Sequence, residues 1–199
     1  MKKKFSKKFG QLLDFVKFTE EFRDVVRYEG SKLGKKVETS NEHSYQVAMV
    51  AWFLIEQDNL KLNKELCLMY ALAHDLVEIY AEDTFIFDKK KKNSKHQREK
   101  KALIKIKKRF SEFKNLIKII ENYEKRKDKE SKFIYILDKL LPPIQIYLED
   151  GKMWHKKKVS LAKQFEYKNE IISPSAYFNE YWQELVKELT QNKKKLFPK

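Results

Sequence analysis

His43, His74, Asp75 and Asp138 are polar residues set in runs that otherwise read as apolar: "HSYQVAMVAWFL", "ALAHDLVEIYA" and "FIYILDKLL". A buried imidazole or carboxylate costs free energy unless it is hydrogen-bonded, paired or bound to a metal. Two imidazoles and two carboxylates suit a divalent transition metal or Mg²⁺, and they leave positions open in an octahedral shell. A metal so held lowers the pKa of a bound water and polarises a phosphoryl oxygen, which is hydrolase chemistry without a protein nucleophile. On one helix His74 and Glu78, four apart, share a face, with Asp75 rotated by about 100° from His74. Glu78 is then placed to orient or deprotonate that water. Each group also has a plainer reading: His74 bonded to a carbonyl, His43 facing solvent from a first turn, Asp138 paired with Lys139. Four such residues together, in order and on apolar helices, argue for the metal.

The elements that must position them are helices. Four glycines and four prolines in 199 residues are too few to punctuate a strand-rich chain. Apolar residues at helical spacing (Phe9, Leu12, Leu13, Val16) predict a first helix within 5–24. Thr39 and Glu42, three apart, read as a capping box opening a second helix, with His43 in its first turn. Asn63 caps a third, near-continuously apolar helix through "KELCLMYALAHDLVEIYA". A lysine-rich loop then leads to helices at about 94–110 and 112–126. The helix of "ESKFIYILDKLL" is expected to break or kink at Pro142 and Pro143. A last amphipathic helix, "SAYFNEYWQELVKEL", follows Ser173-Pro174. The whole of 1–199 reads as one all-α domain, with no internal repeat and no linker.

The 42% hydrophobic content suffices for one core, and the lone Cys67, inside "ELCLMYALA", excludes an intramolecular disulfide framework and reads as a small core residue. No stretch approaches the ~18 apolar residues of a membrane span, and no apolar segment follows the basic start, so a cytoplasmic protein with no membrane partner is expected. The net charge of +15 invites a nucleic-acid reading. However, residues 88–108 hold eleven Lys or Arg against two acids, a surplus of nine in one segment, without interleaved aromatics or a groove-reading motif. A solvated lysine face is the plainer account, and a positive field that draws in small anionic substrates is consistent with it. His96 and His155 read as surface residues; Trp52, Trp154 and Trp182 read as core or interface aromatics, with Trp182 and Tyr181 candidates for a homodimer contact.

His43, the pair His74-Asp75, and Asp138 resemble the H…HD…D pattern of the HD-domain metal-dependent phosphohydrolases. More narrowly, "NEHSYQVAMVAWFL", "ALAHDLVEIYAEDTF", "KHQREKKAL" and "FIYILDKL" are similar to the branch of bacterial 5'-deoxynucleotidases and related small HD hydrolases. The likeness covers roughly residues 20–150, with C-terminal helices at 155–192 expected to pack on that part. It implies an HD-domain helical bundle in which His43, His74, Asp75 and Asp138 bind one divalent metal (Mn, Co, Fe, Zn or Mg). It implies that Glu78 and Asp83 lie near the attacking water and the substrate sugar, and that Arg27 binds phosphate. The implied substrate is a small anionic nucleotide, a (deoxy)nucleoside monophosphate; a dNTP, an alarmone or a cyclic dinucleotide is the alternative, and a non-catalytic basic module binding nucleic acid is a third. Three departures stand out: Tyr28 where the deoxynucleotidases carry Trp, Glu82 where the family carries Gly, and Pro142-Pro143 in a helix that usually continues. If position 82 needs φ > 0, Glu82 brings strain of roughly 1 kcal/mol.

Overall fold

The computed structural model describes residues 5–27, 37–85 and 87–198, the side chains of 89–92 excepted. Among them eleven helices follow in order: α1 (Lys7–Arg23), α2 (Ser40–Gln57), α3 (Lys64–Ala73), α4 (Glu78–Ala81), α5 (Lys89–Arg109), α6 (Lys114–Lys125), α7 (Lys129–Leu148), α8 (Lys152–Lys157), α9 (Leu161–Ile172), α10 (Ala176–Gln191) and α11 (Lys193–Leu196). Side-chain oxygens of Ser6, Thr39, Asn63, Asp128, Ser160 and Ser175 accept first-turn amides of α1, α2, α3, α7, α9 and α10, satisfying donors that a helix start leaves open. The expected capping box is present: Glu42 N–H donates to Thr39 Oγ1 at 3.3 Å, and Thr39 N–H donates to Glu42 Oε2 at 2.9 Å.

α3 lies among α2, α6 and α7, while α9 and α10 pack on the outer side of α7. Val47, Ala51, Cys67, Ala71, Ile120, Ile134 and Leu137 join these faces and are buried. No strand forms among the described residues; there is one isolated antiparallel bridge, Val26 to Thr39. In it Arg27 N–H donates to Glu38 O at 3.0 Å and Ser40 N–H to Val25 O at 2.8 Å. The bridge fastens the chain after α1 to the start of α2, so Arg27 arrives beside Glu38, Asp75 and Asp138. Gly151 enters α8 at φ +71°, where a Cβ would meet Leu196 O at 2.1 Å, so only glycine fits beneath α11.

Three elements differ from their expected course. The third helix does not run on through Ala81. It ends at Ala73, and amides 76, 78, 79 and 80 bond three residues back, the tighter pitch of a 3₁₀ turn. At the break His74 Nδ1 lies 2.8 Å from the Ala71 carbonyl, the acceptor that the amide of residue 75 uses in a continued α-helix. Second, α7 passes through Pro142 and Pro143 without a break. Two proline nitrogens cannot donate to the carbonyls of Asp138 and Lys139, but buried Lys168 on α9 donates its Nζ to Lys139 O at 2.7 Å and replaces one lost bond. Third, the lysine-rich stretch is helical from Lys89. With no glycine or proline to stop it, the helix anchored by Ala102, Ile106 and Phe110 extends back through good helix formers. Trp182 is wholly buried and donates Nε1–H to Asn169 Oδ1 at 2.5 Å, which removes it as a dimer contact. Tyr181 stays partly exposed and donates to Asp58 Oδ2 at 3.1 Å.

Candidate metal centre and its flanking cavities

The first turn of α2, the turn after α3 and the middle of α7 converge. His43, placed by the capping box, is fully buried rather than facing solvent. Its Nε2 lies 2.9 Å from Asp138 Oδ1. His74 Nε2 lies 3.1 Å from Asp75 Oδ2 and 3.8 Å from Asp138 Oδ1. His43, His74 and Asp75 each offer one ligand atom, all within 4.8 Å of one another. The four residues singled out by type are thus brought to one point from three elements far apart in the chain.

The donor set fits a divalent cation. His74 Nδ1 sits 2.8 Å from a backbone carbonyl, which can only accept, so Nδ1 carries a proton and Nε2 is the nitrogen turned toward the carboxylates. That Nε2 is buried without a hydrogen-bond partner and faces carboxylate oxygens, which are acceptors too. Such a nitrogen is stabilised by a positive charge between it and the carboxylates, which a proton supplies in the free protein and a divalent cation supplies on the neutral ring. His43 Nδ1 is likewise buried without a hydrogen bond, 3.5 Å from Glu38 Oε1.

Two basic side chains border the carboxylates on their outer edges. Arg27 Nη1 donates to Asp75 Oδ2 at 2.6 Å, with Glu38 and Asp138 at 3.9 and 4.0 Å. Lys139 Nζ donates to Asp138 Oδ2 at 2.6 Å, so the ion pair uses one oxygen of the carboxylate while the other, Oδ1, faces His43 and His74. Burial opposes ionisation of Asp138, but Lys139, His43 and His74 outweigh it and hold the carboxyl well below its usual range. Burial likewise works against Asp75, and His74 and Arg27 hold it down. Glu78 goes the other way: burial, then the charges of Asp75 and Asp83, push its carboxyl well above the usual range. It accepts a hydrogen bond from Ser40 Oγ at 2.7 Å. The cluster therefore keeps two carboxylates charged and makes a third a strong proton acceptor.

Depressions open on two sides. One, of about 190 Å³, is lined by His74, Asp75 and Asp138 and walled by Thr84, Lys95, Tyr123 and Lys139, among others. The other, of about 600 Å³, is lined by Arg27, Glu78, Glu82 and Asp83. Arg27, Glu78 and Asp83 thus share a face apart from Lys139 and Lys95. Tyr28 lies outside the described residues. Glu82 has φ +61° and ψ 151°, meeting the condition under which a side chain there is strained. Sequence reading missed Lys95, Ser40 and Glu38 as neighbours of the centre, while the pairing of Lys139 with Asp138 is the one it offered. The segment "KHQRE" did carry a signal, but its histidine drew the attention: His96 is exposed, while Lys95 and Glu99 line the smaller cavity. His155 is exposed, and its Nε2 lies 2.9 Å from Lys195 O.

Comparison with known proteins places this geometry in context. The HD domain family profile matches residues 19–182. The chain is 34% identical over 133 residues to the 5'-deoxynucleotidase HDDC2 of Mus musculus, covering 64% of each chain. It is 32% identical over 142 residues to the protein of the same name from Danio rerio, covering 68% of each. The chain thus spans about two thirds of the length of these relatives, just under it for the mouse protein. A solved structure of a predicted metal-dependent phosphohydrolase from Magnetospirillum magnetotacticum MS-1 is similar at a TM-score of 0.81 and 25% identity, over 97% of this chain and 100% of that one. No helix among the described residues is long and apolar enough to cross a membrane.

Proposed function

The chain belongs to the HD domain family, and from that premise we propose that it is a metal-dependent phosphohydrolase, a phosphomonoesterase that removes the 5'-phosphate of (deoxy)nucleoside monophosphates. The observation that carries this reading is the convergence of His43, His74, Asp75 and Asp138 around a buried, unpartnered His74 Nε2. The relatives named 5'-deoxynucleotidase support the substrate class. These four residues hold the metal; when bound, it supplies Lewis acidity toward a phosphoryl oxygen and lowers the pKa of water. Glu78, whose affinity for a proton is raised by burial, orients the attacking water and takes its proton. Arg27 neutralises charge on the phosphoryl oxygens while Asp75 fixes its guanidinium. Asp83, on the Arg27 side, borders the sugar, and Tyr28, outside the described residues, is assigned to substrate binding by its place next to Arg27 in the sequence. The new P–O bond forms from water, the bond to the nucleoside oxygen breaks, and that oxygen leaves with a proton.

Residues 1–199 act as one unit in this reading, in the cytoplasm, with the surplus positive charge drawing the nucleotide in. A homodimer belongs to the same proposal. The exposed Tyr45, Met49, Trp52 and Phe53 on one stripe of α2 support it in place of Trp182, and light scattering of the purified protein tests it. Metal analysis combined with phosphate release from a panel of ribo- and deoxyribonucleoside monophosphates tests the activity. We expect metal-dependent orthophosphate release, and no release from any member defeats the assignment. A second reading, a nucleotide with more than one phosphate, is favoured by the added cations Lys95 and Lys139 beside the centre; pyrophosphate or triphosphate as product would establish it.

A further inference from the structure

α4 ends at Ala81, and the chain leaves it through Glu82 in a backbone region that residues with a Cβ occupy only under constraint. The next two residues border different spaces. Asp83 lines the depression that contains Arg27 and Glu78, and Thr84 lines the cavity that contains His74, Asp75 and Asp138. The strained turn is therefore the partition between the two sides of the metal centre. Asp83 Oδ1 accepts the Thr84 amide at 2.8 Å, so the placement of Thr84 sets that of the Asp83 carboxylate.

One side chain grips both ends of this turn. From α5, Arg98 donates Nε–H to Ala81 O at 3.1 Å, just before Glu82, and Nη2–H to Thr84 Oγ1 at 2.5 Å, just after Asp83. Its Nη1 donates to Ser94 Oγ one turn back on the same helix, which fixes the plane of the guanidinium. Only a planar fork reaches these points at once; a lysine ammonium is a single point charge on a flexible stem. Nothing in the proposed chemistry uses Arg98, and it is absent from the lining of both depressions.

We propose that Arg98 is a positioning residue that holds the Glu82–Thr84 turn in its strained conformation, so that Asp83 and Thr84 face the two sides of the metal centre. Without the fork the backbone at Glu82 relaxes, and both side chains leave their places while the metal-ligating residues, on other elements, keep theirs. The effect on catalysis rests on the reading that Asp83 borders the substrate.

The test uses Arg98→Met, Arg98→Lys and the double variant Arg98→Met with Glu82→Gly, each compared with the wild type in hydrogen exchange of residues 81–85, metal content, KM and kcat. We expect both single Arg98 variants to keep full metal, to exchange about tenfold faster at 81–85, and to show KM raised roughly tenfold with kcat within about threefold. Glycine at position 82 removes the strain that the fork opposes, so the double variant recovers most of the exchange protection and of the KM. Unchanged exchange in Arg98→Met, full restoration by lysine, or a double variant no better than Arg98→Met overturns the proposal. If the wild type hydrolyses no monophosphate, the functional reading fails, and exchange in the same variants decides the clamp alone.

Discussion

Arg27 and Arg109 each join two helical elements through carboxylates, and they do so in opposite ways. Arg109, on α5, donates Nη1 to Glu21 at 2.7 Å and to Tyr80 Oη at 2.8 Å, and Nη2 to Asp14 at 2.8 Å, while its guanidinium lies over the rings of Phe18 and Phe110. Its acidic partners are each 43% exposed. That cluster is closed: charges are matched, the partners reach water, and the planar group is stacked on aromatic faces. Arg27 sits among Asp75, Glu78, Asp83 and Asp138, and burial works against its charge while these four carboxylates outweigh it. Around it two imidazole nitrogens remain buried without hydrogen bonds. Similar residue types thus make a brace in one place and, in the other, a buried cluster with imidazole nitrogens left without hydrogen bonds; the difference lies in burial and in what is left over once the arginine is satisfied.

The comparison breaks most readily at its open end. Asp75→Asn removes the charge that meets both His74 and Arg27, and we expect bound metal to be lost on dialysis and phosphate release to fall by about a thousandfold or more. A variant that retained full metal would place the centre elsewhere. At the closed end, Arg109→Met should leave metal content and KM as they are and lower stability by about 1–2 kcal/mol, the pairs being partly screened by solvent. Thermal denaturation beside metal analysis separates the two; a loss of metal in Arg109→Met would mean that the clusters are one.

The smallest expected effect is a pH dependence of that brace. The hydrogen bond from Arg109, more than offsetting slight burial, lowers the Asp14 carboxyl from its ordinary 3.8. A group whose pKa is depressed by folding contributes stability that is present above the unfolded value and is lost as pH falls through the folded one. The stability gap between wild type and Arg109→Met should therefore be constant near neutrality and shrink below pH 3.8. A gap that widened in acid would show that Asp14 is not the partner that matters.

Much of the site was legible in one dimension because burial has a residue-level signature. Polar His43, His74, Asp75 and Asp138 in apolar helical runs had to be compensated, and the capping residues Thr39 and Asn63 marked where two of their helices begin. The break after Ala73 was not legible, because the apolar, helix-favouring sequence continues through it without glycine or proline. Nor was the passage of α7 through Pro142 and Pro143, since the compensating donor, Lys168, comes from another helix. The same holds for Arg98, whose partners Ala81 and Thr84 are set by how α5 lies against the turn after α4.

Residue type and spacing alone determined that the chain is helical, which helices are central, and which side chains require a counter-charge, because those are properties of local hydrogen bonding and of apolar surface seeking burial. Packing alone decided that the four compensated groups meet at one point, that Arg27 borders them, and that a strained Glu82 is tolerated beside them. Those outcomes depend on distances between segments up to a hundred residues apart, and such distances exist only once the helices have closed on a common core.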